Sequence, residues 1–185
     1  MKRIISCAIT GSIHSPSMSP YLPVTTDQIA QNAIDAANAG AASVHIHARI
    51  GEGERYGAPS SRIEDFQAIV DKIRAVNKDV IICVTTGGGL GMTLEERTAV
   101  IPTLKPELAS MNAGSINWGL FPIAENPKIK WQYAWEKPMY EMTWDFIFKN
   151  TFKDIKGVLG IMNANGTKPE LECYDVGHIY NVKWM

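Results

Sequence analysis

Ser43-Val44-His45-Ile46-His47-Ala48-Arg49 alternates apolar and imidazole side chains with a period of two, the period of a β-strand. Val44 and Ile46 fall on one face, and His45 and His47 on the other. Two residues apart on one strand face, the Cα atoms lie roughly 6.5–7 Å apart, and two ring nitrogens can converge on one ion at about 2.0–2.1 Å. The pattern reads either as a metal site, with zinc the first choice, or as a hydrogen-bonded histidine pair lining a polar cleft.

Working upstream, Ile4 to Thr10 is a short apolar run of the kind buried on both faces of a parallel sheet, and Gly11 ends it. Ser12 to Pro23 holds three prolines and is a loop that carries His14. Thr25 and Gln28 have the spacing of a capping box, followed by apolar residues at helical spacing up to Gly40. Downstream, the glycine-rich and charged loop Gly51 to Gly57 is expected to cover the site. Ser61 with Glu64 predicts a second capping box, opening a helix with Ile63, Phe66, Ile69, Val70, Ile73 and Val76 on one stripe.

Asp79 to Thr86 is a third strand, and Thr85-Thr86-Gly87-Gly88-Gly89 after it is either an anion-binding backbone turn or a flexible one. Thr93 with Glu96 caps a short helix that Pro102 and Pro106 are expected to end. Leu108 to Ala113 is a fourth strand. Residues 118–150 show no clean period and hold four of the five tryptophans, as an extended, partly covering excursion would. Helical spacing returns over Thr151 to Asn165, Gly166 ends it, and Pro169 to Tyr174 is a fifth strand with Glu170 and Glu172 on one face. Those carboxylates face either a polar site or solvent.

Strand, loop and helix in repeated order imply an α/β fold with a parallel sheet and right-handed crossovers, with ionisable residues gathered at the strands' carboxyl ends. The 185 residues form one domain of ordinary globular composition. A net charge of −1 without basic runs argues against nucleic acid or an anionic membrane surface as a partner. No stretch suggests a signal peptide or a membrane span, so the expected location is cytoplasmic. Cys7, Cys83 and Cys173 are widely spaced in apolar segments, as small buried thiols are.

The ordered motifs resemble the β-keto acid cleavage enzymes, the family of the 3-keto-5-aminohexanoate cleavage enzymes. The likeness runs through Thr10-Gly11-Ser12, Leu22-Pro23-Val24-Thr25, His45-Ile46-His47-Ala48-Arg49, Thr85-Thr86-Gly87-Gly88, Lys105-Pro106-Glu107, Gly114-Ser115-Ile116-Asn117 and Lys168-Pro169-Glu170-Leu171-Glu172. The resemblance implies a TIM (β/α)8 barrel, here truncated to about the first five β/α units, since a full barrel needs about 250 residues. It implies zinc held by His45, His47 and a later glutamate, with acetyl-CoA as co-substrate. The implied reaction turns a β-keto acid and acetyl-CoA into acetoacetate and a new acyl-CoA. By the same similarity Thr85, Gly88 and Ser110 hold the keto acid, and Glu172 and Glu170 join the polar network around the catalytic base, with Arg49 from the His-x-His motif counted among the catalytic residues.

Ile13, followed by His14, stands where some members carry a substrate-contacting glutamate, and both are expected to touch substrate; an uncharged substrate side chain follows. A hydrolase of the amidohydrolase type also uses His-x-His in a β/α barrel, but on its first strand, whereas here the pair sits on the second. An inactive metal-binding paralogue is the third reading. The resemblance also implies that a third zinc ligand, a catalytic aspartate and a substrate-binding arginine come from later strands. The 185-residue chain made alone is therefore expected to be insoluble, oligomeric or inactive, the complete enzyme a homo-oligomer.

Overall fold

The computed structural model describes residues 3–87 and 91–185. In chain order the elements are β1 (Ser6–Ala8), α1 (Thr26–Asn38), β2 (Ser43–Ile46), β3 (Ala48–Arg49), β4 (Pro59–Ser60), α2 (Ile63–Val76), β5 (Ile81–Val84), α3 (Leu94–Thr98), α4 (Val100–Leu104) and β6 (Leu108–Asn112). Then come β7 (Ile116–Asn117), α5 (Glu136–Glu141), β8 (Ile147–Phe148), α6 (Phe152–Ala164), β9 (Lys168–Glu172) and α7 (Val176–Trp184). The central sheet is five-stranded and wholly parallel, in the order β1-β2-β5-β6-β9. This is an α/β fold built on a parallel half-barrel sheet. No helix among the described residues is long and apolar enough to cross a membrane.

Register decides what each face carries. Ala8 pairs with His45, His45 with Cys83, Ser110 with Glu170 and Asn112 with Glu172. Because strand side chains alternate, these polar residues share one face. Val44, Ile46, Ile82, Val84, Ala109 and Met111 take the other, where they form one core with Ile29 and Ala33 of α1, Ile69 and Ile73 of α2, Ile101 of α4, and Ile155, Val158 and Met162 of α6. Each fully buried aliphatic side chain contributes about 1.5–3 kcal/mol, so the helix-facing side supplies the stability and leaves the opposite face for polar chemistry.

The capping boxes at Thr25–Gln28 and Thr93–Glu96 form as expected, and Gly40 leaves α1 with φ 106°. The one expected at Ser61–Glu64 does not. Arg62 caps α2 without a side-chain bond, and Ser60 instead accepts from the Arg62 N–H and donates to Asp65. The cause is β4: pairing of Pro59 and Ser60 with Arg49 and Ala48 holds Ser60, not Ser61, at the turn. Pro102 does not end its helix either. It lies in the first turn of α4, where the missing N–H costs nothing, and the left-handed Lys105 (φ 45°) stops the helix.

The first strand is shorter and wetter than its composition suggests. It lies at a sheet edge, with Ile4 85% and Ile5 59% exposed. Cys83 is buried, but Cys7 is only half-buried and Cys173 is exposed beside the other edge strand. Just past the carboxyl end of β6, Gly114 leaves room for α7: a Cβ there would strike the His178 ring and the Asn181 amide.

Candidate active site

The polar face of the sheet opens at its carboxyl end into a cavity of about 620 Å³. Its floor is the upper sheet: Ala8, Thr10, His47, Thr85, Asn112 and Glu172. One wall is the loop after β1, including Ile13, His14, Tyr21 and Leu22. The opposite wall is the 118–150 excursion, which contributes Trp118, Leu120, Met139, Phe146 and Phe148. The excursion covers the site as expected, through short helices and the β7–β8 pair. The Gly51–Gly57 loop does not line the cavity, contrary to expectation, because β3 and β4 fold it away as a hairpin.

At the base of the cavity His45 and His47 face each other, Nε2 to Nε2, at 3.1 Å. The Nδ1 of His45 lies 2.9 Å from Glu170 Oε2, which also accepts the Cys83 thiol at 3.2 Å. His47 is held well below its ordinary basicity by burial, then by the neighbouring His45 and Arg49. The hydrogen bond from His45 keeps the Glu170 carboxyl ionised against the opposing effect of burial, with help from Cys83. Burial, and then the Glu170 charge, push the Cys83 thiol far up, so it stays protonated. His45, Cys83 and Glu170 bring ligand-capable atoms within 4.8 Å of one another.

A second carboxylate group sits higher on the same face. Glu172 Oε2 accepts from Asn112 Nδ2 at 2.6 Å and from the Tyr174 hydroxyl at 3.0 Å. Burial and the Glu172 charge raise the Tyr174 phenol, which therefore remains a donor. Thr85 lines the cavity and its Oγ1 accepts from the Gly87 N–H at 3.0 Å.

Two expected site residues lie elsewhere. Ser110 is fully buried and off the cavity wall; its hydroxyl accepts from the Thr86 N–H at 3.1 Å, which holds the β5 loop in place. Arg49 is also buried. Its guanidinium donates to the Thr10 hydroxyl (2.6 Å) and to the carbonyls of Gly57 (2.6 Å), Gly11 (2.8 Å) and Thr10 (3.2 Å), tying the β1 loop to the β3–β4 hairpin. Burial pushes Arg49 down to about 10, so it is a charged clamp at neutral pH. Gly88 lies outside the described residues.

Sequence reading missed Cys83, Asn112 and Tyr174 as site residues. Strand parity was the available signal, since Cys83 precedes Thr85 by two, Asn112 follows Ser110 by two and Tyr174 follows Glu172 by two. Arg97, also missed, donates to the Thr86 carbonyl at 2.6 Å and to Asn150 Oδ1 at 2.8 Å, with its guanidinium 5.0 Å from the Phe148 ring centroid. It joins the β5 loop to the aromatic wall across distant sequence.

Polar groups gathered at the carboxyl ends of a parallel sheet, beneath an apolar cavity, define the layout of α/β proteins that bind a ligand at the top of the sheet. The chain belongs to the beta-keto acid cleavage enzyme family, whose sequence profile it matches over residues 2–185. It is 47% identical to the 3,5-dioxohexanoate:acetyl-CoA acetone transferase of Paraburkholderia graminis, over 98% of this chain and 57% of that protein. It is 35% identical to the 3-keto-5-aminohexanoate cleavage enzyme of Acetoanaerobium sticklandii, over 94% of this chain and 53% of that one. The chain thus spans about half the length of the curated relatives it matches. In fold it is similar to apo ObcA, with a TM-score of 0.64 at 22% identity, covering 89% of this chain and 32% of that structure.

Proposed function

We propose that this chain forms part of a zinc-dependent β-keto acid cleavage enzyme, a TIM barrel when complete, acting with acetyl-CoA to give acetoacetate and a new acyl-CoA. The observation that carries the metal is the His45–His47 approach. Two nitrogens at 2.0–2.1 Å from one ion, a tetrahedral angle apart, stand about 3.3 Å from each other, and the two Nε2 atoms are at 3.1 Å. The donor set fits zinc, and the orienting carboxylate behind His45 matches the usual support of a metal-bound imidazole. Zinc bound there would supply Lewis acidity for a substrate carbonyl oxygen.

The chain's own residues would do the rest. The Thr85 hydroxyl, which lines the cavity, offers a donor for the substrate carboxylate. Glu172, held between Asn112 and Tyr174, is the ionisable group of the upper cavity and belongs to the proton-handling network. Glu170, two residues before it on the same face, holds His45 instead. Ile13, Trp118, Leu120 and Phe148 surround the remaining volume with apolar surface, which suits a substrate whose far end is uncharged. The relative named for 3,5-dioxohexanoate supports that choice, because its far end carries a keto group and no charge.

Mass spectrometry of products from a panel of β-keto acids with acetyl-CoA, beside elemental analysis, tests the proposal. Acetoacetate and a new acyl-CoA are expected, with bound zinc lost in His45→Ala and His47→Ala. Zinc content unchanged in both variants would sink the metal assignment. Retained zinc with no turnover by the complete enzyme on any panel member would favour a metal-binding paralogue.

A further inference from the structure

The two nitrogens of His45 meet different partners. Nδ1 faces Glu170 Oε2 at 2.9 Å, and Nε2 faces His47 Nε2 at 3.1 Å. An ionised carboxylate only accepts, so the proton in the first contact sits on Nδ1. In its neutral form an imidazole has one N–H, so with that proton on Nδ1 the Nε2 of His45 is bare and able to accept from His47. The same Glu170 oxygen takes the Cys83 S–H: Cys83 lies directly beside His45, and Glu170 stands on the same sheet face, two strands further on and two residues above the Cys83 row.

These contacts decide between two uses of the cluster. His45, Cys83 and Glu170 could in composition be three ligands of one ion. Yet one Glu170 oxygen already accepts from two donors, the Nδ1 side of His45 and the Cys83 thiol, which is the geometry of a carboxylate that orients its neighbours.

We propose that Glu170 is a positioning residue: by accepting the Nδ1–H of His45, while the Cys83 S–H steadies its carboxylate, it locks His45 in the tautomer that aims a bare Nε2 at His47. The consequence for zinc affinity rests on the zinc reading above. The tautomer itself does not.

Long-range ¹H–¹⁵N spectra of the imidazoles in metal-free protein at pH 8, where an ordinary histidine is neutral, read the tautomer directly. His45 is expected to be protonated on Nδ1 in the wild type and in Glu170→Gln, whose amide oxygen still accepts, and to lose that preference in Glu170→Leu. Chelator competition should show zinc binding about 10–100-fold weaker in Glu170→Leu, with Glu170→Gln and Cys83→Ala much closer to wild type. Circular dichroism identifies a variant that fails to fold, in which case the wild-type tautomer still decides. His45 protonated on Nε2 in the wild type would overturn the proposal. So would equal loss of zinc affinity in Cys83→Ala and Glu170→Leu with thiolate-to-metal absorption in the cobalt-substituted protein. A wild-type protein that binds no zinc but carries the Nδ1 proton on His45 would count against the zinc reading and for the tautomer.

Discussion

The backbone N–H and the hydroxyl of Ser17 both end on the carboxylate of Glu136, at 2.8 and 2.6 Å, across 119 residues of chain. The N–H groups of Gln132 and Tyr133 reach the same carboxylate at 3.0 and 2.8 Å. Glu136 has no solvent exposure. One turn further along α5, the Tyr140 hydroxyl donates to the Ile13 carbonyl at 2.8 Å. The excursion that walls the cavity therefore also holds the β1 loop that faces it, through a fully satisfied buried anion.

Acid should release this latch. Burial raises the Glu136 carboxyl, but the Ser17 and Tyr133 hydrogen bonds outweigh it and leave the group below its ordinary value. A depressed carboxyl contributes stability that is present above the unfolded value, about 4.3, and lost as pH falls through the folded one. Glu136→Gln should cost about 1.5–3 kcal/mol at pH 7, the range for hydrogen bonds to a charged group. Urea unfolding of both proteins from pH 7 to pH 3 checks this. The gap should narrow below pH 4, and a gap independent of pH would show that the charge plays no part.

Arg49 clamps the same loop from beneath. Arg49→Lys keeps the charge but cannot present a planar fork to the Gly11, Gly57 and Thr10 acceptors, so at least two buried carbonyls lose their donor. A loss of about 2–4 kcal/mol is expected. Denaturant unfolding at neutral pH measures it, and a change under 0.5 kcal/mol would mean the clamp is ornamental.

What could be read in the chain was whatever repeats locally. The His45–His47 alternation, the Thr25–Gln28 and Thr93–Glu96 boxes and the apolar stripe of α2 are each set by short-range spacing, and they appear in the fold, the stripe without Val76, which is exposed at the end of its helix. Ser61–Glu64 fitted the same rule and failed because a neighbouring strand pair, invisible to local spacing, moved the turn by one residue. Contacts such as Ser17 with Glu136, Arg97 with Asn150 and Cys83 with Glu170 join segments 119, 53 and 87 residues apart. No periodicity marks them, because each depends on which strands become neighbours.

Gly114 offers a test of how α7 docks. A methyl group there would meet the buried His178 ring and the Asn181 amide, which donates to the Ala113 carbonyl at 2.9 Å. Gly114→Ala should cost about 1–3 kcal/mol as overpacking does, and His178→Ala in the same chain should recover part of it. Additive losses in the double variant, measured by urea unfolding, would rule out the clash as the cause.

The last prediction concerns which β-keto acids fit. Ile13 lines the cavity, its carbonyl pinned by Tyr140, so the direction of its side chain is set by the loop and survives substitution. Across the cavity from it the wall is Leu120, Met139, Phe146 and Phe148, and among the described residues no carboxylate lies on either of those two walls. On the proposed function, an amino group carried into this apolar volume would be desolvated away from a partner, a cost of several kcal/mol that is expected to disfavour it. Ile13→Glu supplies the missing partner, and a charge-assisted bond contributes about 1.5–3 kcal/mol, equivalent to roughly 10–100-fold in relative kcat/KM for amino-bearing over alkyl β-keto acids. The comparison must be made on the complete enzyme, with both substrates of matched length. If the ratio does not move, Ile13 does not meet the far end of the substrate, and the specificity of this cavity must come from its aromatic wall.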